Sequence, residues 1–423
     1  VIRYFYTLLL FLLSPILLLT LYKKKPGKPS FGARWKEHFG VTPPLKDQLQ
    51  SPIWIHTVSV GETIAATPFI RALKQKYPNI PIVITTTTST GAEQASKLAD
   101  VAEHRFMPID LPFAIKGFLR AIKPQQMLIM ETELWPNTLH YVHKYGVSIT
   151  VINARLSERS ALRYKKFQPI FNLLSENLDK VLCQHQEDAE RFIRLGVTPE
   201  RVKVTGSLKF DISVSEESLK SGEQLRSQLG KKRPVWIAAS THQGEDEQVL
   251  NAHKLLLEKY PDALLLLVPR HPERFDDVYL LCEQQGFNAH RRTSTIQTLS
   301  ILTQVYLADT MGEMMLLLAA SDVCFMGGSL LGDKVGGHNL LEPAAVGLPC
   351  LIGPSYYNFT DITNQLTNAK AAFICKNTDE MTAHLTSLFS SEEQRLTCKK
   401  NAFTVIQRNQ GAVQKTVSNI QLL

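Results

Sequence analysis

No two of the six cysteines in this 423-residue chain form a CxxC pair, and none stands near a histidine at zinc-like spacing. Cys183, Cys282, Cys324, Cys350, Cys375 and Cys398 sit mostly inside apolar runs. They are expected as reduced core residues of a cytosolic protein, so neither a metal site nor a disulfide framework is anticipated. Charge is also modest: Asp, Glu, Lys and Arg make up 20% of the chain against 44% hydrophobic residues. That mixture excludes disorder over most of the length. Internal repeats and low-complexity tracts are missing too, which excludes a repeat array. A net charge of +8 suits nucleic acid, an anionic membrane or a phosphorylated substrate. Past the first forty residues the basic side chains are dispersed rather than interleaved with aromatics, so nucleic acid is not an expected partner.

What is present begins with a segment of different solvent preference. Residues 4–22, YFYTLLLFLLSPILLLTLY, carry no formal charge, and about 20 apolar residues is the length of a helix that crosses a bilayer. Lys23, Lys24, Lys25 and Lys28 follow at once, then Arg34 and Lys36. This basic flank predicts an anchor at residues 1–25 with the rest of the protein on the cytoplasmic face of the inner membrane, close to anionic lipid. A cleaved signal peptide would carry its positive charge before the apolar run and a small-x-small site after it, and neither is found. The segment shows no polar face, and Pro15 leaves a kinked or shallowly inserted helix open beside a straight span.

Beyond the flank, short apolar runs alternate with helical stretches, the mark of parallel sheets covered on both faces. Strands are expected at residues 53–58, 80–86, 126–130 and 147–152, with helices near 62–76 and 92–98. A polar linker at 211–233 follows, and a second series has strands at 235–239, 263–268, 305–307, 323–326 and 349–352. The fold class is therefore α/β, two doubly wound Rossmann-like domains at 26–210 and 234–400 facing a cleft. A final helical segment, 401–423, is placed back against the first domain. At this length two cores are the natural expectation.

Candidate chemistry gathers where strands end. Ser59-Val60-Gly61-Glu62-Thr63 puts Glu62 in the first turn of a helix, either as an ordinary acidic helix start or as a base. Glu131-Thr132-Glu133-Leu134-Trp135-Pro136-Asn137 puts two carboxylates directly after a buried strand, a costly arrangement unless they face a polar cleft or cations. Gly206-Ser207-Leu208-Lys209-Phe210-Asp211 offers a lysine for developing negative charge, although a surface lysine paired with Asp211 is the plainer reading. In the second half, Pro269-Arg270-His271-Pro272-Glu273-Arg274 presents a guanidinium suited to phosphate. Asp309-Thr310-Met311-Gly312-Glu313 opens a helix whose N–H groups suit an anion. Gly336-Gly337-His338-Asn339-Leu340-Leu341-Glu342 supplies an N-cap asparagine and a carboxylate suited to ribose hydroxyls. Each motif alone is weak; together they outline a donor site.

The ordered set of motifs resembles the 3-deoxy-D-manno-octulosonic acid (Kdo) transferases. The match runs from Arg34-Trp35 through TVSVGET, METELWPN, NARLS, TGSLKFDIS, STHQGE, VPRHPERF, DTMGE, GGSL and GGHNLLEPAA to NQGA. The resemblance implies a GT-B transferase that uses CMP-Kdo as donor and a lipid A precursor (lipid IVA) as acceptor, inverts configuration, and needs neither cofactor nor metal. It implies Glu62 as general base, with Glu131 and Lys209 as transition-state stabilisers. It further implies that the nucleotide meets Pro269, Arg270, Met311, Gly312, Glu313, Asn339, Leu340, Leu341 and Glu342. Two departures from the usual pattern are a longer SLLGDKVGG loop and Leu340 where proline is frequent. A transferase for another nucleotide sugar and a membrane-tethered binding protein are the competing readings, but the second leaves the acidic, glycine-rich helix starts unexplained.

Overall fold

The computed structural model describes residues 2–22, 29–47, 49–212, 214–294 and 299–422. The basic run Lys23, Lys24, Lys25 and Lys28 lies outside the described residues. The chain divides into two compact units, Val1–Asp211 with Asn409–Leu423, and Ile212–Arg408.

In the first unit seven strands form one sheet: β1 Ile53–His56, β2 Ile82–Thr86, β3 Glu103–Phe106, β4 Gln126–Met130, β5 Ser148–Ala154, β6 Lys180–Cys183 and β7 Val202–Val204. Their order is β3-β2-β1-β4-β5-β6-β7, and every pairing is parallel. The central strands IWIH and QMLIM are buried at every residue, as strands covered on both faces must be. The second unit repeats the plan with β8 Val235–Thr241, β9 Leu264–Pro269, β10 Ala289–Arg291, β11 Val305–Leu307, β12 Val323–Met326, β13 Cys350–Ile352 and β14 Ala372–Ile374. Its order is β10-β11-β9-β8-β12-β13-β14, again parallel. All six cysteines are free and buried.

The nine expected strands all appear. The sheets also hold β3, β6, β7, β10 and β14, four of which are the edges. EHRF, VKV and AHR are short and polar because edge strands gain by discouraging further pairing, and the same polarity hides them from a hydrophobicity pattern. The stretch expected as a linker contains helix Glu216–Leu229, which packs on helix Met314–Ala319 inside the second unit; a Cβ on Gly222 would lie 2.5 Å from that of Ala319.

The apolar leader forms helix Ile2–Tyr22, yet among the described residues no helix is long and apolar enough to cross a membrane. The leader is instead fastened along the first unit. Arg3 and Thr7 hydrogen-bond Asn137, Tyr6 reaches Asp110, and Tyr22 Oη lies 2.6 Å from His38 Nδ1. A polar margin that the sequence pattern hid thus faces the domain, while Phe5, Leu8, Leu9, Leu12, Ile16 and Leu19 are exposed.

At the other end of the chain, helix Ala412–Asn419 returns to helix Val60–Lys76. Asp211 accepts N–H bonds from Gly411 at 2.6 Å and from Val413, fixing the return. Val413, Val417 and Ile420 then join Phe69, Ile70 and Leu208 in one core. Truncating the fully buried Ile420 to Ala is expected to cost about 2–5 kcal/mol, read as a lower urea midpoint for the first unit.

Candidate active site

Strand order in the first sheet reverses between β1 and β4, and ligands of doubly wound sheets bind beyond the carboxyl ends of strands at such a reversal. Glu62 follows β1 and Glu131 follows β4. Ser59 caps helix Val60–Lys76, and its hydroxyl bonds Glu62 Oε1 at 3.0 Å while Val58 N–H donates to Oε2 at 2.8 Å. The helix-start reading of Glu62 therefore holds, as a variant of the capping box. It does not exhaust the residue, because a carboxylate has about four acceptor positions and two are used here. Burial pushes its carboxyl up to about 7, opposed by the Val58 N–H and assisted by the charges of Glu131 and Glu133.

Glu131 sits in the left-handed backbone region, φ 59°, a conformation that costs a non-glycine residue on the order of 1 kcal/mol or more. Its carboxylate Oε1 lies 3.3 Å from Lys209 Nζ. Lys209 belongs to a short turn, Leu208–Phe210, whose flanking side chains are buried. The turn is pinned by Asn153, also left-handed, whose Oδ1 accepts the Leu208 N–H at 3.0 Å. The plainer reading of Lys209 is thus corrected: Asp211 is committed to the returning C-terminal segment, and the lysine pairs with Glu131. Glu62, Glu131 and Lys209 come from three distant stretches of sequence and are all held in the first unit. Glu133, not singled out as a site residue, belongs with them; burial and the Glu131 charge raise its carboxyl.

The second sheet reverses between β8 and β12, and there the best-held group is Glu245, a residue the sequence signal did not distinguish from any acidic helix start. It is fully buried, and it accepts N–H bonds from His242, Gly328, Ser329 and Leu330 at 2.6–3.0 Å. One carboxylate thereby braces the loop after β8 against the glycine-rich loop after β12. Close backbone approach is required there, since a Cβ on Gly327 would fall 2.6 Å from the Ser240 carbonyl oxygen. His242 and His338 stack with Nε2 atoms 2.9 Å apart, and burial lowers both to about 4, so the pair is neutral at pH 7.

Of the expected donor residues, Pro269 ends β9 buried and Arg270 stands exposed just beyond it. Glu342 is half-buried, its carboxyl raised by burial against the pull of Arg270. Asn339 Oδ1 accepts the Leu341 N–H at 3.1 Å. Leu340 and Leu341 are fully buried, which leaves only their backbone for a ligand. Met311 is exposed and Gly312 is left-handed. Glu313 is gripped bidentately by Arg292 at 2.6 and 2.7 Å, which holds its carboxyl below the usual range. That carboxylate is a brace, so any ligand contact falls to its N–H. Arg274 likewise holds Asp246 rather than standing open. Among the described residues, no three His, Cys, Asp or Glu side chains group as metal ligands.

Two parallel-sheet units with loops gathered at their reversals are the architecture of two-domain glycosyltransferases, and the family models assign the chain to that class. Residues 232–405 match the family model for glycosyl transferases group 1, and residues 33–212 match the model for 3-deoxy-D-manno-octulosonic-acid transferase. A 3-deoxy-D-manno-octulosonic acid transferase of Haemophilus influenzae is 39% identical over 98% of this chain and 96% of its own length. One from Bordetella pertussis is 36% identical over 77% and 76%. The chain belongs to the 3-deoxy-D-manno-octulosonic acid transferase family. Among solved structures, the UDP-GlcNAc 2-epimerase of Neisseria meningitidis shares the fold at 16% identity, with TM-score 0.59 over 87% of this chain and 100% of that one.

Replacing Glu245 by Ala strands the buried N–H groups of Gly328 and Ser329 at about 1–3 kcal/mol each before relaxation, and removes the acceptor of the half-buried N–H groups of His242 and Leu330. A marked loss of thermal stability is the expected outcome, measured by calorimetric melting.

Proposed function

We propose that the protein transfers Kdo from CMP-Kdo to a hydroxyl of the lipid A precursor at the cytoplasmic face of the inner membrane, with inversion. The observation that carries the chemistry is the placement of Glu62, its carboxyl pushed up to about 7 by burial, beside the Glu131–Lys209 pair. A base is most effective when its pKa lies near the working pH. Glu62 takes the acceptor hydroxyl proton as that oxygen bonds to the anomeric carbon of Kdo. The bond from that carbon to the CMP phosphate oxygen breaks, and its electron pair leaves with the phosphate. Glu131 and Lys209 stabilise the charge that shifts during transfer. In the second unit, exposed Arg270 and the N–H groups around Gly312 and Asn339 suit the nucleotide phosphate, and Glu342 suits the ribose.

The membrane reading rests on the leader. Its exposed leucines and phenylalanines form a continuous apolar face on a helix already bound to the protein along the opposite side. Such a helix suits the interfacial plane of a bilayer better than a crossing. Lying there, it holds the acceptor unit against a lipid substrate.

Glu62→Gln is expected to lower kcat by about 10²–10⁴ while CMP-Kdo still binds; retained turnover would remove Glu62 as the base. For the wild type, the sign follows from the base being active only when ionised. The kcat/KM for the acceptor should be level above pH 7 and fall about tenfold per pH unit below it, with the break near the 7 of Glu62. Deleting residues 2–22 should release the protein from anionic vesicles in a flotation assay while leaving CMP binding intact.

A further inference from the structure

Between the leader helix and the first unit lies a cavity of about 240 Å³. One wall is the helix stripe Leu10, Ser14, Leu18 and Leu21, spaced so that they fall on a single face. The opposite wall is Met107, Ile109 and Leu111, and Trp135 closes one side. Asp110 also borders the space, but its carboxylate is already satisfied by Thr138 N–H and Oγ at 2.6 Å and by Asn137 N–H at 3.0 Å. The lining is therefore apolar in effect. His38 also lines the space, but its unpartnered Nε2 has no accessible surface.

Position gives the cavity its meaning. Thr87 follows β2, residues 107–111 follow β3, and Trp135 lies four residues past Glu131 on the loop after β4. All line the cavity, so it opens on the same carboxyl edge of the sheet that carries Glu62 and Glu131. Its outer wall is the leader helix, whose far face is exposed hydrocarbon. Apolar cavities of about 150 Å³ stay dry and admit benzene; by that proportion this one holds a chain on the order of eight to ten carbons.

We propose that the cavity receives one acyl chain of the lipid acceptor and so positions the acceptor's sugar hydroxyl at Glu62. This rests on the lipid-acceptor reading above. The chain passes from the bilayer beneath the leader helix.

The test fills the cavity without touching the carboxylates, using the double variant Leu18→Phe with Ile109→Phe in the full-length protein. The kcat/KM on a tetra-acylated, phosphorylated glucosamine disaccharide is compared with that on its fully deacylated form. The ratio is expected to fall about tenfold or more, with the KM for CMP-Kdo and the melting temperature near wild type. An unchanged ratio, or an equal loss on both acceptors, overturns the proposal. A wild-type protein that turns over neither acceptor instead removes the proposed activity. The cavity is then read by quenching of tryptophan fluorescence in a Trp35→Phe background, where Trp54 and Trp236 are fully buried and Trp135 is the exposed tryptophan. Quenching by a bromine-labelled acylated disaccharide, but not by bromine-labelled phosphatidylcholine vesicles, supports the site. No quenching, or equal quenching by both, overturns it.

Discussion

A carboxylate taken out of water must find donors or hold its proton more tightly, and this constraint organises both units. Each unit starts its sheet with a buried strand that runs into a Gly-Glu pair at the head of a helix: Gly61-Glu62 after β1, and Gly244-Glu245 after β8. Burial raises the carboxyls of both glutamates, which differ in the number of donors that oppose it. Glu245 is surrounded by four N–H groups from two loops, and it serves as a structural pin. Glu62 has only two donors against that burial, and two acidic neighbours add to it, so its carboxyl is pushed up to about 7. The same dipeptide follows the first strand of each sheet, and the surroundings decide how firmly its carboxylate is held.

Neighbouring groups carry the same division. In the first unit, Glu131 and Asn153 accept left-handed backbones that turn the chain at the ends of β4 and β5, and the Asn153 side chain fixes the turn bearing Lys209. In the second, Arg292, Arg274 and Arg291 are each tied to a carboxylate, which leaves Arg270 as the arginine of these motifs standing open. Charge pairing thus sorts the cations into those that hold loops and one suited to phosphate.

Much of this was legible in the sequence where the physics is local. Buried central strands such as QMLIM and LLLLVP declare themselves by continuous hydrophobicity, and Glu62 and Asn339 by helix-start chemistry. What escaped was decided by tertiary surroundings. EHRF and AHR are strands because a neighbour pairs with them, not because of their composition. Lys209 sits next to Asp211 in sequence, yet Asp211 is claimed by Gly411 and Val413 from 200 residues away. Glu245 looked like any acidic residue at a helix start, since its four donors come largely from a loop more than eighty residues on. The leader's polar margin was invisible for the same reason: Arg3 and Thr7 acquire meaning only once Asn137 stands opposite them.

The return of residues 412–420 to the first unit also sets an order of events during synthesis. A ribosome releases the chain from its amino end, so β1 to β7 emerge long before Val413, Val417 and Ile420 exist. Until then the apolar side of helix Val60–Lys76 lacks its cover, and the first unit waits, incomplete, while the second is made. The unit that holds Glu62 is therefore the one whose folding finishes last, and a nascent chain stalled within the second unit would expose the surface that chaperones and proteases recognise.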